Sequence, residues 1–108
     1  MPIFIKTEKF KDETLKLSNS ERKVFLLMHK GWVEDIRQSG TYIHSGYLIN
    51  EKKMPGGGGL LIIEAKDYLS AQQIIEKDPM ITNDLVTWEL QEWIPINGSQ
   101  PELFNHLG

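Results

Sequence analysis

Histidines are the natural proton-transfer candidates in this chain, and of His29, His44 and His106 only His29 falls in a pattern that would hold it in place. It lies in the run Ser18 to Gly40, SNSERKVFLLMHKGWVEDIRQSG, where Phe25, Met28, Trp32 and Ile36 recur on one helical face at about 100° per residue. His29 sits inside that stripe, one turn past Phe25, while Lys23, Lys30, Glu34 and Arg37 point elsewhere. An imidazole in an apolar seam needs partners for its ring nitrogens. The plainer reading is a core histidine satisfied by its neighbours, which is the commoner occurrence. With no cysteine in the chain, disulfides, thiolate nucleophiles and cysteine-based metal sites are excluded. His44 reads as a strand side chain and His106 lies near the C-terminus. Neither stands at metal-ligand spacing, so no metal is expected.

The glycines Gly56 to Gly59 invite a phosphate-loop reading, but Leu60 and Leu61 stand where Lys and Ser/Thr should follow. A mobile hairpin loop over Glu51 to Gly59, able to fold over a ligand, is expected instead. Asp78 precedes Pro79, which suits the N-cap of a short helical turn.

The elements that must position these groups follow from periodicity. Ile3 to Glu8 reads as a first strand, and Lys9 to Leu17, charged and aperiodic, as a connecting loop. The long helix has a capping box in Ser18 and Glu21 and a left-handed stop in Gly40. Thr41 to Asn50 is a second strand, with Tyr42, His44, Gly46 and Leu48 on one face and Ile43, Ser45, Tyr47 and Ile49 on the other. Leu60 to Ala65 is a third strand, apolar on both sides. Asp67 caps a second helix, Tyr68 to Lys77, and Val86 to Ile94 is the fourth strand. Trp32, Trp88 and Trp93 are packing residues, Trp93 facing away from Val86 and Leu90. The order β-α-β-β-α-β predicts an α+β, ferredoxin-like fold with a four-stranded antiparallel sheet covered by helices on one face. A strand apolar on both sides is usually buried on both. The helix-free face is therefore expected to pair with that of a second copy, giving a homodimer.

The remaining bounds are broad. The chain has 108 residues, 40% hydrophobic and 25% charged, enough for one modest core. Residues 1–95 are expected to form the domain and 96–108 a C-terminal tail, in which Leu103, Phe104 and Leu107 form a short helical turn. A formal charge of -3 with no basic cluster beyond Lys52-Lys53 argues against nucleic-acid binding. The longest apolar run is too short for a membrane span, and MPIFIKTEKF has no signal-peptide character. A soluble, cytoplasmic protein is expected.

Three features together resemble the YCII-related (YciI-like) family: a helical histidine eleven residues before Gly40, a strand containing Ser45-Gly46, and Glu76-Lys77-Asp78-Pro79-Met80 ending the second helix. The glycine run leading into LLIIEA also fits, and the resemblance spans the first strand to Ile94. It implies a dimeric α+β barrel and an active site built on a His-Asp pair, here His29 and Asp78, with no cofactor. Ser45, the one hydroxyl near the expected cleft, and the adjoining Gly46 are assigned to substrate contact. Three positions depart from the family pattern: Leu26 replaces an arginine three residues before the histidine, Met80 an aromatic, and Tyr47 a proline.

A carboxylate on one imidazole nitrogen fixes the tautomer and raises the basicity of the other, which suits proton transfer on a small molecule. Two functions follow: a cofactor-independent lyase, isomerase or hydrolase, or a non-catalytic small-molecule-binding or regulatory module. A haem or oxygen-handling role rests on fold analogy alone.

Overall fold

The computed structural model describes residues 1–98, in the order β1 (Ile3–Phe10), α1 (Asp12–Leu15), α2 (Asn19–Gln38), β2 (Ile43–Ile49), β3 (Pro55–Glu64), α3 (Tyr68–Ile75), α4 (Pro79–Thr82) and β4 (Val86–Trp93). The strands form one antiparallel sheet in the order β2-β3-β1-β4. This is the ferredoxin-like arrangement expected from the sequence. The helical turn expected at Leu103, Phe104 and Leu107 lies outside the described residues.

Alternation in the strands divides the sheet into two faces. Phe4, Ile43, Leu61, Ile63 and Leu90 point to the helix-covered side. There they join Ala71 and Ile75 of α3 in the main core, with Trp32, Val33 and Ile36 of α2 packed against it. On the opposite side Ile3 and Ile62 form a smaller cluster with Ile5 and Tyr42.

The long helix begins and ends where its signals place it. Glu21 N–H donates to Ser18 Oγ and Ser18 N–H to Glu21 Oε1, both at 3.2 Å, and Gly40 takes φ +94°. Its inward face differs from the expected stripe. Met28 is exposed, whereas Phe25, His29, Trp32, Val33 and Ile36 are partly buried. Met28 stands about 100° from His29 around the helix axis, and Val33 lies closer to the centre of the face.

Two expected loops are regular structure. β1 runs on to Phe10, and α1 follows within the segment read as a connection. Its anchors are tertiary: Lys11 N–H donates to the Leu85 carbonyl at 3.0 Å, and buried Thr14 donates Oγ1 to the same oxygen at 2.7 Å. A single turn fixed this way leaves no periodicity to read.

The glycine run likewise lies in a strand and not in a loop. β3 starts at Pro55, and Gly58 and Gly59 pair with Lys9 and Glu8 of β1. A Cβ on Gly58 would lie 2.6 Å from the Glu8 carbonyl oxygen, and one on Gly59 3.0 Å from that of Gly46. Glycine is required by this close approach of backbones. The true connection is shorter: Asn50 Oδ1 accepts from Lys52 N–H at 2.9 Å and Met54 N–H at 3.1 Å.

Candidate functional site: a buried ion-paired aspartate behind a histidine

Register brings Ser45, Leu61, Lys6 and Leu90 into one row across the helix-covered face, with Tyr47, Gly59, Glu8 and Trp88 in the row beside it. Helix α2 lays His29 over the first row. The α3–α4 junction lowers Asp78 between helix and sheet, and Asp78 is fully buried.

Every oxygen of Asp78 is engaged. Oδ1 accepts from Met80 N–H at 2.9 Å, capping α4, and lies 2.8 Å from His29 Nδ1. Oδ2 accepts from Lys6 Nζ at 2.9 Å. The cap and the histidine partner, alternatives in the sequence, are the same carboxylate. Lys6 is 1% exposed and also pairs with Glu8. Burial pushes the Asp78 carboxyl up, but the His29 hydrogen bond, the Lys6 and His29 charges and the Met80 N–H together outweigh it and hold the group below the usual aspartate range. Ionised, it can only accept, so Nδ1 carries the proton toward it.

The far ring nitrogen, Nε2, lies 2.8 Å from Ser45 Oγ. In the neutral ring Nε2 accepts and Ser45 donates. The imidazole ring also packs 5.7 Å from the Trp32 ring. The result is a continuous chain Ser45–His29–Asp78–Lys6–Glu8, from the exposed edge strand to the centre of the sheet.

A cleft of about 390 Å³ opens over this chain, lined among others by Glu8, His29, Ser45, Gly46, Gly59 and Met80. This volume is in the range of small-molecule sites. The four residues singled out in the sequence thus gather here, Asp78 behind the wall and His29, Ser45 and Gly46 on it. Lys6 and Glu8 were missed. Their signal was available: in FIKTEKF both alternate with Phe4 and Phe10, so an inward-facing strand side carries a pair of opposite charges.

His44 is exposed on the other face, its ring 5.0 Å from that of Tyr42. Among the described residues no group of three or more His, Asp or Glu side chains is placed to hold a metal ion, and no helix is long and apolar enough to cross a membrane.

No protein-family model and no curated protein matches the sequence. Solved structures do match in fold. A 5-chloro-2-hydroxyhydroquinone dehydrochlorinase from Burkholderia phenoliruptrix AC1100, in complex with 2,5-dihydroxybenzoquinone, aligns at TM-score 0.64 and 20% identity, over 85% of this chain and 93% of that one. An antibiotic biosynthesis monooxygenase aligns at TM-score 0.54 and 15% identity, over 90% and 100%. The de novo designed protein Ferredog-Diesel aligns at TM-score 0.55 and 13% identity, over 84% of each chain. A fold shared by two enzymes and a designed protein identifies architecture, and function must be argued from the site.

Proposed function

We propose that this chain is a cofactor-independent enzyme of the YCII-related type, in which His29 moves a proton on a small molecule held in the cleft. The carrying observation is the position of His29, with Asp78 at 2.8 Å on one ring nitrogen and Ser45 at 2.8 Å on the other. Asp78 fixes the ring and its tautomer and stabilises the imidazolium that forms when Nε2 takes a proton. Lys6 and Met80 N–H keep Asp78 ionised and in place. Ser45 yields Nε2 to the substrate or relays the proton through its hydroxyl. Proton abstraction next to a leaving group gives elimination, the chemistry that the name dehydrochlorinase denotes; return of the proton elsewhere gives isomerisation. The working unit on this reading is a homodimer paired through the helix-free face, where Ile3, Ile5, Tyr42 and Ile62 already cluster.

The Ser45–His29–Asp78 chain favours a second reading, in which His29 activates Ser45 as a nucleophile for hydrolysis. Ser45→Ala separates the two. It slows a proton-transfer enzyme partially but abolishes a serine hydrolase and its labelling by a fluorophosphonate.

The direct test follows solvent-deuterium incorporation by NMR into hydroxylated quinols and C–H-acidic ketones, beginning with 5-chloro-2-hydroxyhydroquinone. Wild-type protein should catalyse exchange or chloride release that His29→Ala does not. Equal rates with the two proteins, both folded, would leave a binding module as the better description.

A further inference from the structure

A second cavity, of about 330 Å³, adjoins the first and shares Phe10, Leu26, Tyr47 and Met80 with it. Its walls are apolar, with Leu17, Phe25 and Leu85 added, and it runs toward the start of α2. At that end its lining changes character, to Asn19, Arg22 and Lys23.

The geometry points to a binding site for the apolar body and anionic end of an amphipathic carboxylate whose reacting group lies at His29. This deepens the proposed function and rests on it for the identity of the reacting end. Arg22 stands seven residues before His29, roughly 10 Å along the helix and on the same side of it. Leu26 stands between them and forms part of both cavities. An occupant therefore meets a proton-transfer group, then an apolar passage, then cationic groups.

Charge complementarity selects the far end of the occupant. Arg22 donates Nη2 to Asn19 Oδ1 at 2.6 Å, and neither Arg22 nor Lys23 is ion-paired among the described residues. Glu21, their neighbour, is engaged in the Ser18 capping box. The cations thus remain available to an external carboxylate, which arginine recognises with two parallel N–H donors. The reactive cleft offers the opposite balance, since Glu8 and Glu34 line it against one cation, Lys30, which lies beside Glu34, and Lys6 is already satisfied. An anion is directed away from Glu8 and toward Arg22. An extended octanoate is about the length of the passage.

Butanoate, octanoate and octanamide serve as probes, titrated against ¹⁵N- and methyl-labelled protein. Octanoate should shift the signals of Leu17, Phe25, Leu26 and Met80, and should bind more tightly than butanoate. It should also bind about tenfold more tightly than octanamide, the discrimination one charge-assisted contact supplies. Arg22→Gln with Lys23→Gln should remove the preference for the acid and leave octanamide binding as it was. Leu26→Trp should close the passage and abolish octanoate shifts at Phe25. His29→Ala should leave octanoate binding intact, so failure of the proton-transfer reading, which shows as equal rates in the wild type and His29→Ala, is distinguished from failure of the octanoate site, which shows in binding alone. Equal affinity for octanoate and octanamide in the wild type, or octanoate shifts at Phe25 that survive Leu26→Trp, would overturn the assignment.

Discussion

On the helix-covered side of the sheet, strand β1 carries Lys6 and Glu8 between Phe4 and Phe10, and the buried ammonium of Lys6 meets the carboxylates of Glu8 and Asp78. On the other side the same strand carries Ile3 and Ile5, beside Ile62 and Tyr42. The face under the helices holds the ionic groups, and the face without helices is apolar at its centre. Burying charges costs several kcal/mol each unless they are paired, so such a network is weak evidence for stability. On the function proposed above, it is kept in a core that could have been filled by aliphatic side chains because it supports the chemistry at His29. On the same proposal the apolar cluster opposite, in which Ile3 and Ile62 are already buried within the chain, packs against a second copy.

The sharpest way to break this contrast is Lys6→Ala. It leaves the Asp78 and Glu8 carboxylates without their shared cation, and urea denaturation should show a loss of about 3–5 kcal/mol. A loss under about 1 kcal/mol would mean that the network is already hydrated, and the two faces would then differ far less than described. Ile5→Lys tests the other side. Light scattering should find the wild type dimeric at micromolar concentration and the folded variant monomeric; a monomeric wild type would remove the need for a covering surface.

The smallest effect is in pH dependence. Asp78 is held below its usual range in the fold, so unfolding makes it a stronger proton acceptor near pH 4. Its contribution is therefore present above about pH 3.9, the unfolded value, and is lost as pH falls through the lower folded value. Denaturation midpoints should decline over this acid window in the wild type and decline less steeply in Asp78→Asn.

Much of the architecture was legible because its signals are local. The capping box, the apolar recurrence and Gly40 delimit α2 to within a residue or two, and alternation puts Ile43 and Ser45 on one face of β2, opposite Tyr42 and His44. The resemblance named Asp78 as the partner of His29, and Asp-Pro named it as a cap; only three-dimensional placement makes these one carboxylate. Lys6 escaped because a lysine in a strand is ordinarily solvated, and its burial depends on Asp78, remote in sequence. The glycine run misled for a related reason. Glycine is depleted in strands, and what places it in β3 is the backbone of Glu8 pressing from the neighbouring strand.

That close approach has a bearing on how this protein can change. Where β3 passes beneath the cleft over His29, Gly58 and Gly59 present main chain, and any added side-chain carbon at Gly58 meets a carbonyl of the next strand. The floor cannot be rewritten by point substitution without displacing the sheet. Leu26 and Tyr47 stand on the exposed margins of the same cleft and are 49% and 73% solvent-accessible. Diversification among descendants of this chain, natural or selected in the laboratory, is therefore channelled to those margins, and the shape of the cleft can drift there while His29, Asp78 and Lys6 stay as they are.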